Sequence, residues 1–307
     1  MFLWYKRYCN KHFVETQYSH YWDVKLLKEL VTYSGWSVVV NAADVTVSQC
    51  INIFLNLFYG VITNAAMGIA NQVNALLNQF LSTFSTSYNP QIIKSYASGD
   101  RAYFMKLLYS TSKISFFLLF AVSFPLIFNI EYLLKIWLIN PPELAGVFLV
   151  CVICYSLFDS FSAPLWNAVH ATGYLKVHQL LMSSIKLLNI PLGYYLLKQG
   201  LPSYSILILY ATLNGICSIV RIIYLHWLIN LDVIDFFKRV ILKLAAVVFL
   251  SVLFPMLTIR FDMTPFIKLV SSSLLFLFSY MFLVYFIGLD NSERGLCVNF
   301  IKRKFVK

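Results

Sequence analysis

Residues 51–100 read INIFLNLFYGVITNAAMGIANQVNALLNQFLSTFSTSYNPQIIKSYASGD, and this stretch decides the fold. Its apolar runs are interrupted by regularly spaced polar residues: Asn64, Asn71, Asn74, Asn78, Ser82 and Ser85. At about 100° per residue, these side chains fall within an arc of roughly 80° on a helix. We therefore predict a membrane-spanning helix over 62–86 that carries one polar face.

The whole chain has the composition of a membrane protein. Of its 307 residues, 60% are apolar and 12% are charged, whereas soluble domains have about 45–50% apolar and about 25% charged residues. These values exclude an ordinary soluble domain, and they exclude a disordered chain because disorder requires low hydrophobicity. Eight apolar segments are close to or above the ~18 residues that a spanning helix needs: 32–58, 62–86, 112–129, 144–168, 175–197, 203–228, 238–258 and 264–288. We predict an all-α integral membrane protein with eight transmembrane helices.

The distribution of basic residues predicts the orientation of these helices. A net charge of +11 would suggest nucleic-acid binding in a soluble protein. With the N-terminus in the cytoplasm, however, 19 of the 24 lysines and arginines lie on the cytoplasmic side and 4 lie outside. This asymmetry is typical of cytoplasmic loops. We therefore predict that both termini are cytoplasmic and that no nucleic acid is bound.

Three charged residues lie near the middle of predicted spans, away from the span ends: Asp44, Asp159 and Lys186. Spans four and five form a hairpin near Gly173, and Asp159 and Lys186 each lie about 13 residues from that turn, hence at one depth. An unpaired charge in a bilayer costs at least ~2.5–3.5 kcal/mol. We predict that these two residues pair or share a watery cavity, either as a structural salt bridge or as a substrate or coupling site. Asp44 is either a proton or cation site or a protonated, hydrogen-bonded group.

Polar faces also suggest where a substrate would bind. The first span carries polar residues on one side, as the second span does, and such faces must point at other helices or at a watery cavity. Interhelical hydrogen bonding is the alternative, but the number of polar residues favours a cavity. The predicted cavity-lining residues are Asn41, Asp44, Asn52, Asn71, Asn74, Asn78, Asp159 and Lys186.

The chain is predicted to contain four regions. Residues 1–31 form a cytoplasmic linker with an interfacial helix at 22–31, and 32–229 form a six-helix lobe. Residues 230–290 supply two additional transmembrane helices, and 291–307 form a basic cytoplasmic tail.

The loops predict a protein that is not an enzyme. The longest outer loop, 129–143, contains only EYLLKIWL, which has the character of a small interfacial helix. Most membrane enzymes that transfer glycans outside the cell use large outer loops or domains. Cys151 and Cys154 have CxxC spacing without a second pair or a nearby histidine, so we predict buried cysteines and neither a metal nor another cofactor.

Three stretches resemble a known family: LKELVTYSGWSVVVNAADV from Leu27, the 51–100 segment with Tyr88, Asn89, Pro90 and Gln91, and PLWNAVHATGYLKVHQL at 164–180. They are similar to the C-terminal lobe of Wzx-type oligosaccharide flippases, a polysaccharide-biosynthesis branch of the MATE-like multidrug/oligosaccharidyl-lipid/polysaccharide (MOP) exporter superfamily. Members have two six-helix lobes around a central cavity, often with two extra helices. The resemblance implies that this chain is a C-terminal lobe plus two extra helices, with the N-terminal lobe absent or supplied by a separate chain.

The resemblance also implies a function. The expected substrate is an oligosaccharide on an undecaprenyl pyrophosphate carrier, flipped by alternating access across the bacterial inner membrane for surface polysaccharide, lipopolysaccharide or O-antigen synthesis. Lys186, and Arg221 near an inner helix end, are the basic residues available for the pyrophosphate. A cation-coupled multidrug exporter of the same superfamily, using Asp44 and Asp159, and a non-transporting remnant are the alternatives.

Overall fold

The computed structural model describes residues 2–13, 23–260 and 264–295, and these ranges are helical with short turns. The α-helices are α1 (Phe2–His12), α2 (Val24–Tyr59), α3 (Val61–Ala97), α4 (Arg101–Phe128), α5 (Ile130–Leu138), α6 (Ala145–Thr172), α7 (Leu175–Leu187), α8 (Asn189–Lys198), α9 (Ser205–Ile229), α10 (Val233–Phe236), α11 (Leu242–Met256) and α12 (Pro265–Leu283). A π-helical turn, Phe237–Ile241, joins α10 to α11, and another, Val284–Gly288, follows α12. The predicted outer-loop helix is α5.

The all-α membrane architecture is confirmed. Within the described ranges, seven helical segments are long and apolar enough to cross a membrane, and they match predicted spans one and three to eight. The second predicted span, 62–86, lies in the 37-residue helix α3. Its asparagines and glutamines make it less apolar than the other seven. It nevertheless packs against α2, α4 and α6, so the number eight depends on counting α3 as a span.

The start of α2 differs from the sequence prediction. Asp23 caps this helix, because its carboxylate accepts hydrogen bonds from the backbone N–H groups of Lys25 at 2.9 Å and Leu26 at 3.1 Å. No proline interrupts the chain between this cap and the first span. The predicted interfacial helix at 22–31 is therefore not separate: from Val24 onward it is the first part of α2, while Trp22 lies outside the described residues. Of the predicted basic tail, residues 291–295 are described and are helical.

The predicted hairpin between spans four and five is confirmed. Helix α6 ends at Thr172, and Gly173 has a φ of +76°, which is the left-handed conformation that terminates many helices. Its N–H donates a hydrogen bond of 3.2 Å to the carbonyl oxygen of His170. Helix α7 then begins at Leu175, so α6 and α7 run in opposite directions.

Helices α11 and α12, which we call the extension, pack chiefly against α4. Aromatic side chains make this contact: the rings of Phe124 and Phe276 stack with centroids 4.3 Å apart, and the Tyr280 hydroxyl donates to the Phe117 carbonyl at 2.8 Å. Asn129 also donates to the Ser272 hydroxyl at 3.1 Å. Offset aromatic pairs add to the stabilisation that burial gives, so the extension is firmly attached to one helix of the lobe.

A group of charged residues, the ion cluster, fixes one end of the extension; its members are Lys113, Lys243, Asp290 and Glu293. The Lys113 ammonium is fully buried, 2.7 Å from an Asp290 carboxylate oxygen and 2.8 Å from a Glu293 carboxylate oxygen. Lys243 of α11 forms a second ion pair with Asp290. A buried lysine is tolerated only with such partners, so the sequence after α12 is bonded to the middle of α4.

Candidate functional site

The polar site begins with an ion pair between α2 and α7. The Lys186 ammonium lies 2.7 Å from a carboxylate oxygen of Asp44, and the two side chains are 14% and 35% exposed. The sequence predicted that Lys186 either pairs with Asp159 or shares a watery cavity with it. Within the described part of the chain, the ion-pair partner is Asp44 instead, because α2 packs closely along α7. Asp44 thus has a basic side chain of a neighbouring helix as its direct partner.

Asp159 nevertheless belongs to the same group of charges. Its side chain on α6 is exposed, yet many protein atoms surround it, as expected for a residue that lines a recess. The charges of Lys186, Arg221 and Asp44 all act on its carboxylate. The structure thus brings the three predicted intramembrane charges together and adds a fourth, Arg221. We call these four residues the charge group.

Arg221 lies deeper than the sequence indicated. Its side chain is buried in α9, where the guanidinium donates to both the hydroxyl and the carbonyl oxygen of Ser162, the latter at 3.3 Å. Its Nε–H also donates to Nε2 of His178 at 3.3 Å, so His178 accepts at that nitrogen. Asn214, Ser218 and Arg221 recur at helical spacing on α9, and this pattern is the signal that sequence reasoning overlooked.

The asparagine face of α3 is hydrogen-bonded to α6. Asn74 donates to the Tyr155 hydroxyl at 2.9 Å and accepts from the Ser156 hydroxyl at 2.8 Å and from the Asn78 amide at 3.1 Å. The interhelical interpretation therefore holds for Asn74. Asn78 is exposed, so this network extends from the α3–α6 contact to the surface of the lobe.

The other predicted cavity residues occupy the surface of α2 and α3. Asn41 is exposed, whereas Asn52 and Asn71 are half-buried. No side-chain hydrogen bond joins any of these three asparagines to another described residue. A side-chain amide that is exposed on the surface of a membrane-spanning helix requires a polar partner or water. We call the exposed parts of Asn41, Asn78, Asp44 and Asp159 the polar face.

Possible metal ligands are not gathered at the polar face. In the described ranges, no group of three or more histidine, cysteine, aspartate or glutamate side chains is placed to hold a metal ion. Cys151 is half-buried and Cys154 is exposed, and both are free thiols. The prediction that Cys154 is buried is wrong, because it lies on a side of α6 that the described helices do not cover. The site therefore offers charges, amides and hydroxyls.

Comparison with family profiles gives the affiliation of the chain. The MatE profile matches residues 37–195, which is more than half of the chain. The chain belongs to the MatE family. MatE proteins are membrane transporters of the MOP superfamily rather than enzymes. Comparisons with curated proteins and with solved structures found no match.

The MatE match contains most of the polar site. It begins within α2, ahead of Asp44, and it ends in α8, beyond Lys186, so it also includes Asp159. Arg221 on α9, the fourth member of the charge group, lies outside the matched residues. The MatE assignment identifies the chain as a multi-pass membrane protein with a transport role.

Proposed function

We propose that this MatE chain is the C-terminal lobe of a flippase for lipid-linked oligosaccharides, and that the polar face forms its side of the substrate cavity. The observation that carries the proposal is the charge group, which lies beside exposed amides within otherwise apolar helices. A sugar headgroup presents many hydroxyls, and asparagine amides both donate and accept hydrogen bonds. The polar face is suited to such a headgroup.

The basic members of the charge group suit the carrier lipid. Lys186 and Arg221 provide two cations within the spans, and an oligosaccharide linked to undecaprenyl pyrophosphate brings negative charge to the cavity. Lysine binds phosphate oxygens as a point charge, so the phosphate would replace Asp44 as the partner of Lys186. Arg221 is buried and already donates to Ser162 and His178, so it would add positive charge from behind the cavity wall. We propose this pyrophosphate-linked oligosaccharide as the substrate, in a bacterial inner membrane with both termini cytoplasmic.

The ion pair weighs against the alternative of cation-coupled drug export. A carboxylate that binds a sodium ion or a proton during coupling must be free to exchange it. Asp44 already has the ammonium group of Lys186 at 2.7 Å. The negative charge of Asp44 is thus partly offset by a protein cation, which lowers its attraction for an external cation.

The exposed polar face also suggests a partner. Polar side chains on the outside of membrane helices are costly unless another helix or water satisfies them. We propose that a second six-helix lobe, on a separate chain or a preceding segment, covers the polar face and completes the cavity. Alternating access would then be a rocking motion of the two lobes about this cavity.

Transport into liposomes tests the proposal. The purified chain is reconstituted together with any lobe that co-purifies, and two activities are measured: translocation of a fluorescent lipid-linked oligosaccharide, and efflux of a cationic dye under a sodium or proton gradient. We expect glycolipid translocation, and we expect its loss in the double variant Asp159→Asn, Lys186→Gln. Gradient-driven dye efflux without glycolipid translocation would overturn the proposal in favour of drug export.

A matched control variant separates loss of function from loss of charge. Glu131→Gln with Lys135→Gln removes one acid and one base from the short helix α5, away from the polar site. This control should translocate glycolipid at the rate of the unmodified protein. Equal activity of all three proteins would show that the charge group has no part in transport.

A further inference from the structure

A separate cavity of about 600 Å³ lies between the lobe and the extension. Its wall includes Arg101, Lys106 and Tyr109 from the first part of α4, Asn230 after α9, and Asp290 after α12. These segments all lie at one end of the helices, which the positive-inside pattern places on the cytoplasmic side. The cavity is therefore at the level at which lipid headgroups meet the protein.

The carboxylates around this cavity already have partners. Asp235 pairs with Arg239 at 2.6 Å, and Asp290 belongs to the ion cluster. Glu293 also belongs to the ion cluster, and Asp232 caps α10 by accepting from the N–H groups of the next helical turn. The acidic side chains are therefore engaged within the protein, which reduces their effect on an entering anion.

Three basic side chains line the wall: Arg239 is paired with Asp235, whereas Arg101 and Lys106 form no ion pair with a described residue and keep donors for a ligand. Arg101 uses one guanidinium nitrogen to donate to the Asn230 carbonyl at 3.0 Å, which holds the side chain in place and leaves its other N–H groups available. Lys106 is exposed, and no hydrogen bond or ion pair joins it to another described residue. Both side chains line the same cavity, so their free donors can meet on one anion.

We propose that this cavity binds the headgroup phosphate of an anionic membrane phospholipid through Arg101 and Lys106. Arginine binds phosphate oxygens with parallel hydrogen bonds, and lysine adds a second positive charge. Basic pockets between helices at the cytoplasmic membrane surface are suited to lipid headgroups. This site is distinct from the polar face and does not depend on the transported substrate.

Native mass spectrometry of the full chain in detergent tests the proposal, with phosphatidylglycerol as the probe. We expect the unmodified protein to retain one phosphatidylglycerol molecule more tightly than further copies. The double variant Arg101→Gln, Lys106→Gln should lose this retention severalfold. Lys94→Gln is the matched control, because Lys94 is an exposed lysine in the last turn of α3 and does not line the cavity. Equal retention by all three proteins would overturn the proposal.

Two further measurements keep the result interpretable. Lys106→Gln alone removes an exposed side chain that makes no hydrogen bond or ion pair with another described residue. Weaker phosphatidylglycerol retention by this variant therefore cannot be attributed to unfolding. The variant should weaken phosphatidylglycerol retention while leaving the melting temperature in lipid-free detergent unchanged. Competition by soluble glycerol 3-phosphate distinguishes the source of the phosphate. Full displacement by glycerol 3-phosphate at the concentration of the lipid would show a soluble-phosphate site and refute the lipid assignment.

Discussion

Replacing Lys113 with methionine should weaken the attachment of the extension to the lobe. Methionine is similar in length to lysine but carries no charge, so the substitution removes the cation with little change in volume. Glu293, which is buried, then loses its ion-pair partner but keeps hydrogen bonds from the Ser110 hydroxyl and the Asp290 N–H. Asp290 is 38% exposed and keeps Lys243. Removing one partner of a buried ion pair costs about 3–5 kcal/mol. Because Asp290 is partly solvated, we expect a loss near the lower limit, about 3 kcal/mol.

Unfolding of the purified chain in mixed detergent micelles measures this loss. Glu293→Gln and the double variant Lys113→Met, Glu293→Gln complete a thermodynamic cycle. The double variant should be more stable than the sum of the two single losses predicts, because it buries no unpaired charge. Lys94→Met, at an exposed lysine, should change stability by less than about 0.5 kcal/mol. A loss below about 1 kcal/mol for Lys113→Met, or strict additivity, would refute the reasoning.

Three further predictions concern pH, packing and the ion pair. Burial acts to raise the pKa of Asp290, but hydrogen bonds from the two lysines of the ion cluster outweigh it and hold the pKa below its usual value. The melting temperature should therefore be constant above about pH 4 and fall in more acidic solution. Asp290→Asn should remove this dependence on pH. A melting temperature that falls as the pH is raised would contradict the prediction. Gly288→Ala places a methyl group 2.8 Å from a phenylalanine ring of α4, and it should lower the free energy of unfolding in micelles by about 1–3 kcal/mol. Gly68→Ala is the control, because its added methyl group meets no atom within 4 Å. Equal stability of the two variants would count against the close contact between Gly288 and α4. Asp44→Asn leaves the Lys186 ammonium without its anion. The melting temperature of this variant should therefore fall further than that of the double variant Asp44→Asn, Lys186→Met. The reverse order would argue against the ion pair.

The sequence alone singled out three charged residues near the middle of the spans, but it did not identify Asp44 as the ion-pair partner of Lys186. Asp44, Asp159 and Lys186 stand out because charges are rare within apolar segments. Counting residues from the turn at Gly173 gives depth along a helix but not the direction in which a side chain points. The pairing of Lys186 with Asp44 depends on how α2 packs along α7, and residue spacing within one hairpin carries no information on that contact.

The remaining differences concern a helix end, the burial of Arg221 and the ion cluster. Hydropathy marks the apolar part of a helix, but the helix continues as long as its caps and hydrogen bonds allow. Helix α2 therefore begins at Val24, next to its Asp23 cap. The burial of Arg221 was not predicted, because position along a helix does not tell which neighbours cover a side chain; Ser162 and His178 compensate for this burial. The ion cluster was equally inaccessible to sequence reasoning, since Lys113 lies about 180 positions from Asp290 and Glu293 along the chain.

The attachment of the extension to α4 gives this lobe an internal reference for distance measurements. The polar face is built on α2, α3 and α6, whereas the extension packs chiefly against α4. A spin label at Phe278 on α12, which is 83% exposed, would sit on a helix that takes no part in the polar face. Distances from this label to labels on α2 would then record bending of the lobe itself, separately from any movement of a partner lobe.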